Sequence, residues 1–160
     1  MASVLCISWL AILCLFPMST APRKSVGFVY NAPIAHTWTY EHDRGRNEVA
    51  HELVDEVLTT SVFAVDETDA QATRVAVQNL IDTGHEMVFT TSSGFDAVSK
   101  EMALENPDIL FVQVPTVSGS EGIPNHASLD VKLYQAYYLA GLIAGNLTKT
   151  GVLGGKGSCS

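Results

Sequence analysis

From Ser25 onward, short apolar runs alternate with longer stretches whose apolar residues return every three or four positions. Ser25-Val-Gly-Phe-Val-Tyr30 is β-branched and aromatic, reads as a first strand, and ends at Asn31-Ala-Pro33. The spacing of Val49, Ala50, Leu53, Val54, Val57 and Leu58 predicts a helix from about 39 to 58, with Glu48, Glu52, Asp55 and Glu56 facing out. Thr60 to Val65 reads as a second strand. Asp66-Glu-Thr68-Asp69 offers an N-cap to a helix through Ile81, with Ala72, Val75, Ala76 and Leu80 inward and Gly84 ending it. Glu86 to Thr90 is a third strand, and Ser92-Ser93-Gly94 opens a helix that Asn106-Pro107-Asp108 stops. Ile109 to Val114 is a fourth strand, followed by a Gly-, Ser- and Pro-rich loop to Ser128. A last helix covers 129–147, and Gly151-Val-Leu-Gly154 begins a possible fifth strand.

This alternation predicts an α/β fold, a three-layer parallel sheet with helices on both faces. Crossovers are then right-handed, and ligands meet the carboxyl ends of the strands. That edge gathers Asn31, with Trp38 a few residues on, the neighbourhood of Asp66, Thr90-Thr91-Ser92 running into Ser93-Gly94-Phe95, and Pro115-Thr116. An aromatic plane stacks on a flat ring, and Asn, Ser and Thr read its polar rim. No Lys or Arg stands there for a phosphate, and no Gly-rich loop follows the first strand. Each residue also has a structural reading: Trp38 as a cover for the first helix, Ser92-Ser93-Gly94 as a cap and tight turn, Phe95 as core, Asn31-Ala-Pro33 as a turn. Gathered at one edge, they mark a candidate site for a neutral planar ligand.

Residues 1–21 form a separate segment. Val4 to Phe16 is an unbroken apolar run, shorter than the roughly 20 residues that a spanning helix needs. Pro17, the small residues Ser19-Thr20-Ala21 and the pair Arg23-Lys24 follow, in the order of a secretory signal. The body, 22–160, contains only one cysteine, Cys159, with Cys6 and Cys14 in the leader, so no internal disulfide or cysteine metal site is expected.

The composition narrows the function classes. Nine basic against 17 acidic residues give a net charge of −8 without a basic stripe, which argues against nucleic acid as a partner. His36, His42 and His51 lack the i, i+4 spacing of helical metal ligands. No Ser-His-acid, Cys-His or paired-carboxylate pattern stands out, and neither catalysis nor a cofactor is expected. Gly141-xxx-Gly145 reads as small residues for close helix packing, and Asn146-Leu-Thr148 is a formal glycosylation sequon.

Four stretches carry a resemblance: Val26 to Arg46 (VGFVYNAPIAHTWTYEHDRGR), His85 to Val98 (HEMVFTTSSGFDAV), Glu105 to Val114 (ENPDILFVQV) and Tyr134 to Gly151 (YQAYYLAGLIAGNLTKTG). Together they resemble the N-terminal lobe of the basic-membrane-protein family, the PnrA-like substrate-binding proteins of ABC transporters. The resemblance implies the N-terminal lobe of a type I periplasmic-binding-protein fold, truncated here before a second lobe. It implies capture of a purine nucleoside or purine base outside the cytoplasm (secreted, periplasmic or at the outer face of the plasma membrane), and docking on a membrane permease. By motif match, Asn31 and Trp38 line the purine pocket from the first loop, and Ser92, Gly94 and Phe95 from the third. Ala35-His36-Thr37-Trp38 is one residue shorter than the family's Gly-Asp-x-Gly-Trp. With half the cleft absent, this chain is expected to bind weakly or not at all. A receptor-like sensory lobe and a nucleotide-dependent enzyme on a doubly wound fold are the alternative readings.

Overall fold

The computed structural model describes residues 22–115, 119 and 122–154. The expectations for the leader, Thr116, Cys159 and residues 155–160 lie outside them. Five strands, β1 (Lys24–Val29), β2 (Val57–Val62), β3 (Met87–Thr90), β4 (Leu110–Gln113) and β5 (His126–Ser128), pair in the order β2-β1-β3-β4-β5. Every pairing is parallel. The helices are α1 (Thr37–Glu52), α2 (Ala70–Asp82), α3 (Asp96–Glu105), preceded by a 3-10 turn at Ser93–Phe95, and α4 (Leu133–Leu147). The α/β reading therefore holds.

Strand alternation sorts the sheet into two unequal faces. Val29, Val88 and Phe111 turn to the face covered by α2 and α3 and form the core with Val77, Leu80, Phe95, Val98 and Met102. Gly27 lies under the Leu80 side chain of α2: a Cβ there would stand 2.7 Å from Leu80 Cδ1, so that side chain would have to shift. Phe28 and Phe89 turn to the other face and stack at 4.8 Å. That face carries α1 near β2 and is otherwise open, as a groove of about 680 Å³ walled by Val26, Phe28, Met87 and Phe89. Helix α4 buries no residue.

Several boundaries differ from the periodicity reading. Helix α1 stops at Glu52, and Val57 and Leu58 belong to β2. A short apolar run fits either period, and here the sheet claims it. The inward face of α1 is polar, not the expected apolar stripe: Thr39 and Asp43 are buried, whereas Val49 is 42% exposed. Asp43 accepts from Arg46 Nε at 2.6 Å and Asn47 Nδ2 at 3.0 Å, and Arg46 donates to Thr59 Oγ1 at 2.8 Å. The buried charge pair is thus satisfied by its neighbours, as burial demands. Burial and the Asp43 carboxylate push the phenol of Tyr30, beneath this pair, above its ordinary range. In α2, Ala76 and Leu80 point inward as expected, but Val75 faces solvent.

The fifth strand is His126–Ser128, inside the expected loop, while residues 151–154 are not a strand. Nothing in His-Ala-Ser announces a strand. Asn125 fixes it: its side-chain amide reaches the carbonyls of Ala103 and Ile109 at 2.8 Å, and its own carbonyl accepts from Phe111 N at 2.8 Å.

Candidate functional site

The register places three chain reversals at one edge. Val29 lies beside Val62 on one side and Thr90 on the other, and Thr90 lies beside Gln113. The segments after β1, β2 and β3 therefore emerge together at the carboxyl ends of the strands, where an open α/β sheet presents its ligand crevice.

Two buried side chains pin the turn after β3. Thr91 Oγ1 donates to the Val29 carbonyl at 3.0 Å. Gln113, wholly buried, donates from Nε2 to the Ser92 carbonyl at 2.7 Å and to the Pro115 carbonyl at 2.9 Å. Its oxygen accepts the Thr90 hydroxyl. Ser92 is thereby held at the edge by backbone contacts, with its hydroxyl free to bond elsewhere.

That hydroxyl donates to Glu67 Oε2, from the loop between β2 and α2. Asn31 Nδ2 donates to Glu67 Oε1 at 3.1 Å and to Ser92 Oγ at 3.3 Å. Gly94 makes the approach possible, since a Cβ there would stand 2.8 Å from both Glu67 Cβ and Oε2. The Glu67 carboxylate also lies against the turn into α3, where the N-terminal dipole favours negative charge.

Trp38, on the first turn of α1, donates from Nε1 to the Thr91 carbonyl at 2.6 Å. Its ring is part-exposed, meets His42 edge-on at 4.5 Å between centroids, and lines a pocket of about 620 Å³ with His36, Glu41 and Leu133. Burial lowers the pKa of His42, which favours the neutral imidazole beside the indole.

Of the five residues singled out in the sequence, the structure brings Asn31, Trp38, Ser92 and Gly94 together around the ends of β1 and β3. Phe95 stands behind them: it is 0% exposed and belongs to the core cluster that also holds Met102 and Val98. Sequence reasoning missed Glu67 and Gln113. Glu67 sat in a polar run that reads as an N-cap, a role Asp69 fills. Gln113 had a visible signal, a lone amide in the otherwise apolar run Ile109 to Val114. Among the described residues, no three His, Cys, Asp or Glu side chains converge as a metal site would require. The arrangement offers an aromatic plane beside a neutral and acidic polar rim, which is equipment for binding a flat ring.

Comparison with known proteins gives the family and the fold. A family model described as ABC transporter substrate-binding protein PnrA-like matches residues 23–159. A purine-binding protein of Brucella abortus is 33% identical over 137 residues, covering 85% of this chain and 38% of the relative. Basic membrane protein A of Borreliella burgdorferi is 29% identical over 79 residues, covering 49% of this chain and 23% of that protein. Among solved structures, an ABC transporter solute-binding protein from Conexibacter woesei superposes with a TM-score of 0.60 at 13% identity, over 76% of this chain and 40% of the other. A myo-inositol binding protein from Caulobacter gives 0.51 at 13% identity, over 77% and 40%. These two likenesses show the fold, that of periplasmic binding proteins, and the chain spans well under half the length of each relative. Sequence match and architecture together place this chain in the PnrA-like family of ABC transporter substrate-binding proteins.

Proposed function

We propose that this chain forms one lobe of an extracytoplasmic binding protein that captures a purine base or nucleoside for a membrane permease. The observation that carries the reading is the part-exposed indole of Trp38, tied to the Thr91 carbonyl next to the Asn31–Ser92–Glu67 group at the carboxyl edge of the sheet. An indole supplies a stacking plane for a purine, and the amide, hydroxyl and carboxylate supply hydrogen bonds to its rim. Asn31, Trp38, Ser92 and Gly94 are the contact residues in this reading, with Phe95 as the packed support behind them. The relative named a purine-binding protein supports the ligand class. In this reading, a second lobe within the relatives' additional length closes over the ligand, in the manner of hinged binding proteins.

The test is a titration of the ¹⁵N-labelled chain with adenine and adenosine, followed at the Trp38 indole N–H and the Ser92 and Gly94 amides. Saturable shifts in the wild type, lost in Trp38→Ala and largely retained in Trp38→Phe, are the expected result. Purine-induced shifts at Ser92 and Gly94 that persist unchanged in Trp38→Ala would remove the indole from the site.

A further inference from the structure

Three side chains at the strand ends close a ring of hydrogen bonds around one carboxylate. Asn31 spends its amide N–H groups on Glu67 Oε1 and Ser92 Oγ, and Ser92 spends its hydroxyl proton on Glu67 Oε2. A primary amide carries two N–H donors and a hydroxyl one O–H donor. All the side-chain donors of this pair are therefore turned inward.

Acceptors are what remain. Asn31 Oδ1 is shielded from solvent and has no hydrogen-bond partner. An acceptor in that state costs free energy until a donor reaches it. A carboxylate offers about four acceptor positions, of which the ring fills two. Glu67 is held in place by sterics as well as by bonds, because Gly94 leaves the space its side chain occupies.

We propose that Glu67 sets the hydrogen-bond polarity of this site. By holding the donors of Asn31 and Ser92, it turns two residues that could either donate or accept a hydrogen bond into a surface that accepts. That surface selects flat heteroaromatic rings bearing an exocyclic amino group over the same rings without one. Glu67 is thus a positioning and specificity-determining residue, and the inference rests on the purine reading above.

The experiment compares adenine with 6-methylpurine, in which a methyl group replaces the amino group at nearly the same size. Both are titrated into the ¹⁵N-labelled wild type and into Glu67→Gln, whose amide can give as well as take and so frees the Asn31 amide to turn over. The wild type is expected to bind adenine at least about tenfold more tightly, the range for a hydrogen bond to a charged group. In Glu67→Gln the ratio is expected to fall to within about twofold. Bound purines with an unchanged ratio in Glu67→Gln, or with no preference in the wild type, overturn the role of Glu67 while leaving the purine reading intact. Neither purine binding the wild type overturns the purine reading, and this inference with it. A ligand-free arm tests the ring itself: the Asn31 side-chain amide protons should shift in Glu67→Gln, and an unmoved pair would refute the bond on which the selection depends.

Discussion

Replacing Gly94 with alanine tests the site through a single added methyl group. Its Cβ would fall 2.8 Å from Glu67 Cβ, 2.8 Å from Oε2 and 2.9 Å from Cγ, all inside the distance at which carbon and oxygen repel. The contact at Cβ matters most, because no rotation of the Glu67 side chain moves that atom away. Either the loop carrying Glu67 or the turn carrying Gly94 must shift, and overpacking of this kind costs about 1–3 kcal/mol. The unfolded chain loses freedom when Gly becomes Ala, which returns about 0.4–1 kcal/mol. A net destabilisation of about 1–2 kcal/mol follows. For a chain of this size that is a drop of roughly 2–8 °C in Tm. Urea unfolding measures the change, with the midpoint lowered and the slope m unchanged. The companion variants separate the causes. Glu67→Ala removes Cγ and Oε2 but leaves Cβ, so Gly94→Ala should remain costly in that background. Glu67→Gly removes all three atoms, and the penalty should there fall below about 0.5 kcal/mol, the limit for uncoupled sites. An equal penalty in the wild type and in Glu67→Gly would refute the steric account and, with it, the close approach of the two loops.

Four further outcomes are expected. Asp69→Ala should cost about 1 kcal/mol by urea unfolding, because Asp69 accepts from Gln71 N at 2.9 Å and Ala72 N at 3.1 Å at the start of α2. Phe111→Ala should cost about 3–5 kcal/mol, since the ring is 1% exposed in the core. Ile143→Ala, in a residue 60% exposed on α4, should change the midpoint by less than about 0.5 kcal/mol. Burial lowers the pKa of both His42 and His126 below the ordinary 6.5, with Lys100 adding to the effect at His126. The unfolded chain then takes up protons first as the solution is acidified. The stability from these neutral imidazoles is complete above about pH 6.5 and is lost as pH falls from there through the two folded values. Unfolding between about pH 8 and pH 5 should show this slope, and His42→Asn with His126→Asn should flatten it; an unchanged slope would refute the assignment.

Much of the fold was legible because its signals are local. The apolar runs 25–30, 86–90 and 109–114 contain β1, β3 and β4 nearly in register with the structure, and Asp69 caps α2 where the polar run after β2 predicts a cap. Strand–helix alternation was enough to give a parallel sheet whose carboxyl edge carries Asn31 and Ser92. The ambiguous places were those where one pattern serves two periods. Val57 and Leu58 continue the helical spacing of α1, yet Val57 pairs with Lys24 and Leu58 with Ser25. Ladder hydrogen bonds to a neighbouring strand decide that, and the neighbour is more than thirty positions away.

The chain by itself determined which chemistry stands at the edge: an indole, an amide, a hydroxyl and a glycine turn, with no cation among them. Only the tertiary structure decided how they are arranged. It moved Phe95 into the core, recruited Gln113 from β4 to hold the Ser92 backbone, and brought Glu67 across from another loop to bind Asn31 and Ser92. The reason is physical. Periodicity records which side of an element is dry, whereas a hydrogen bond between loops depends on the sheet register that brings their ends within bonding distance, and no local pattern encodes that distance.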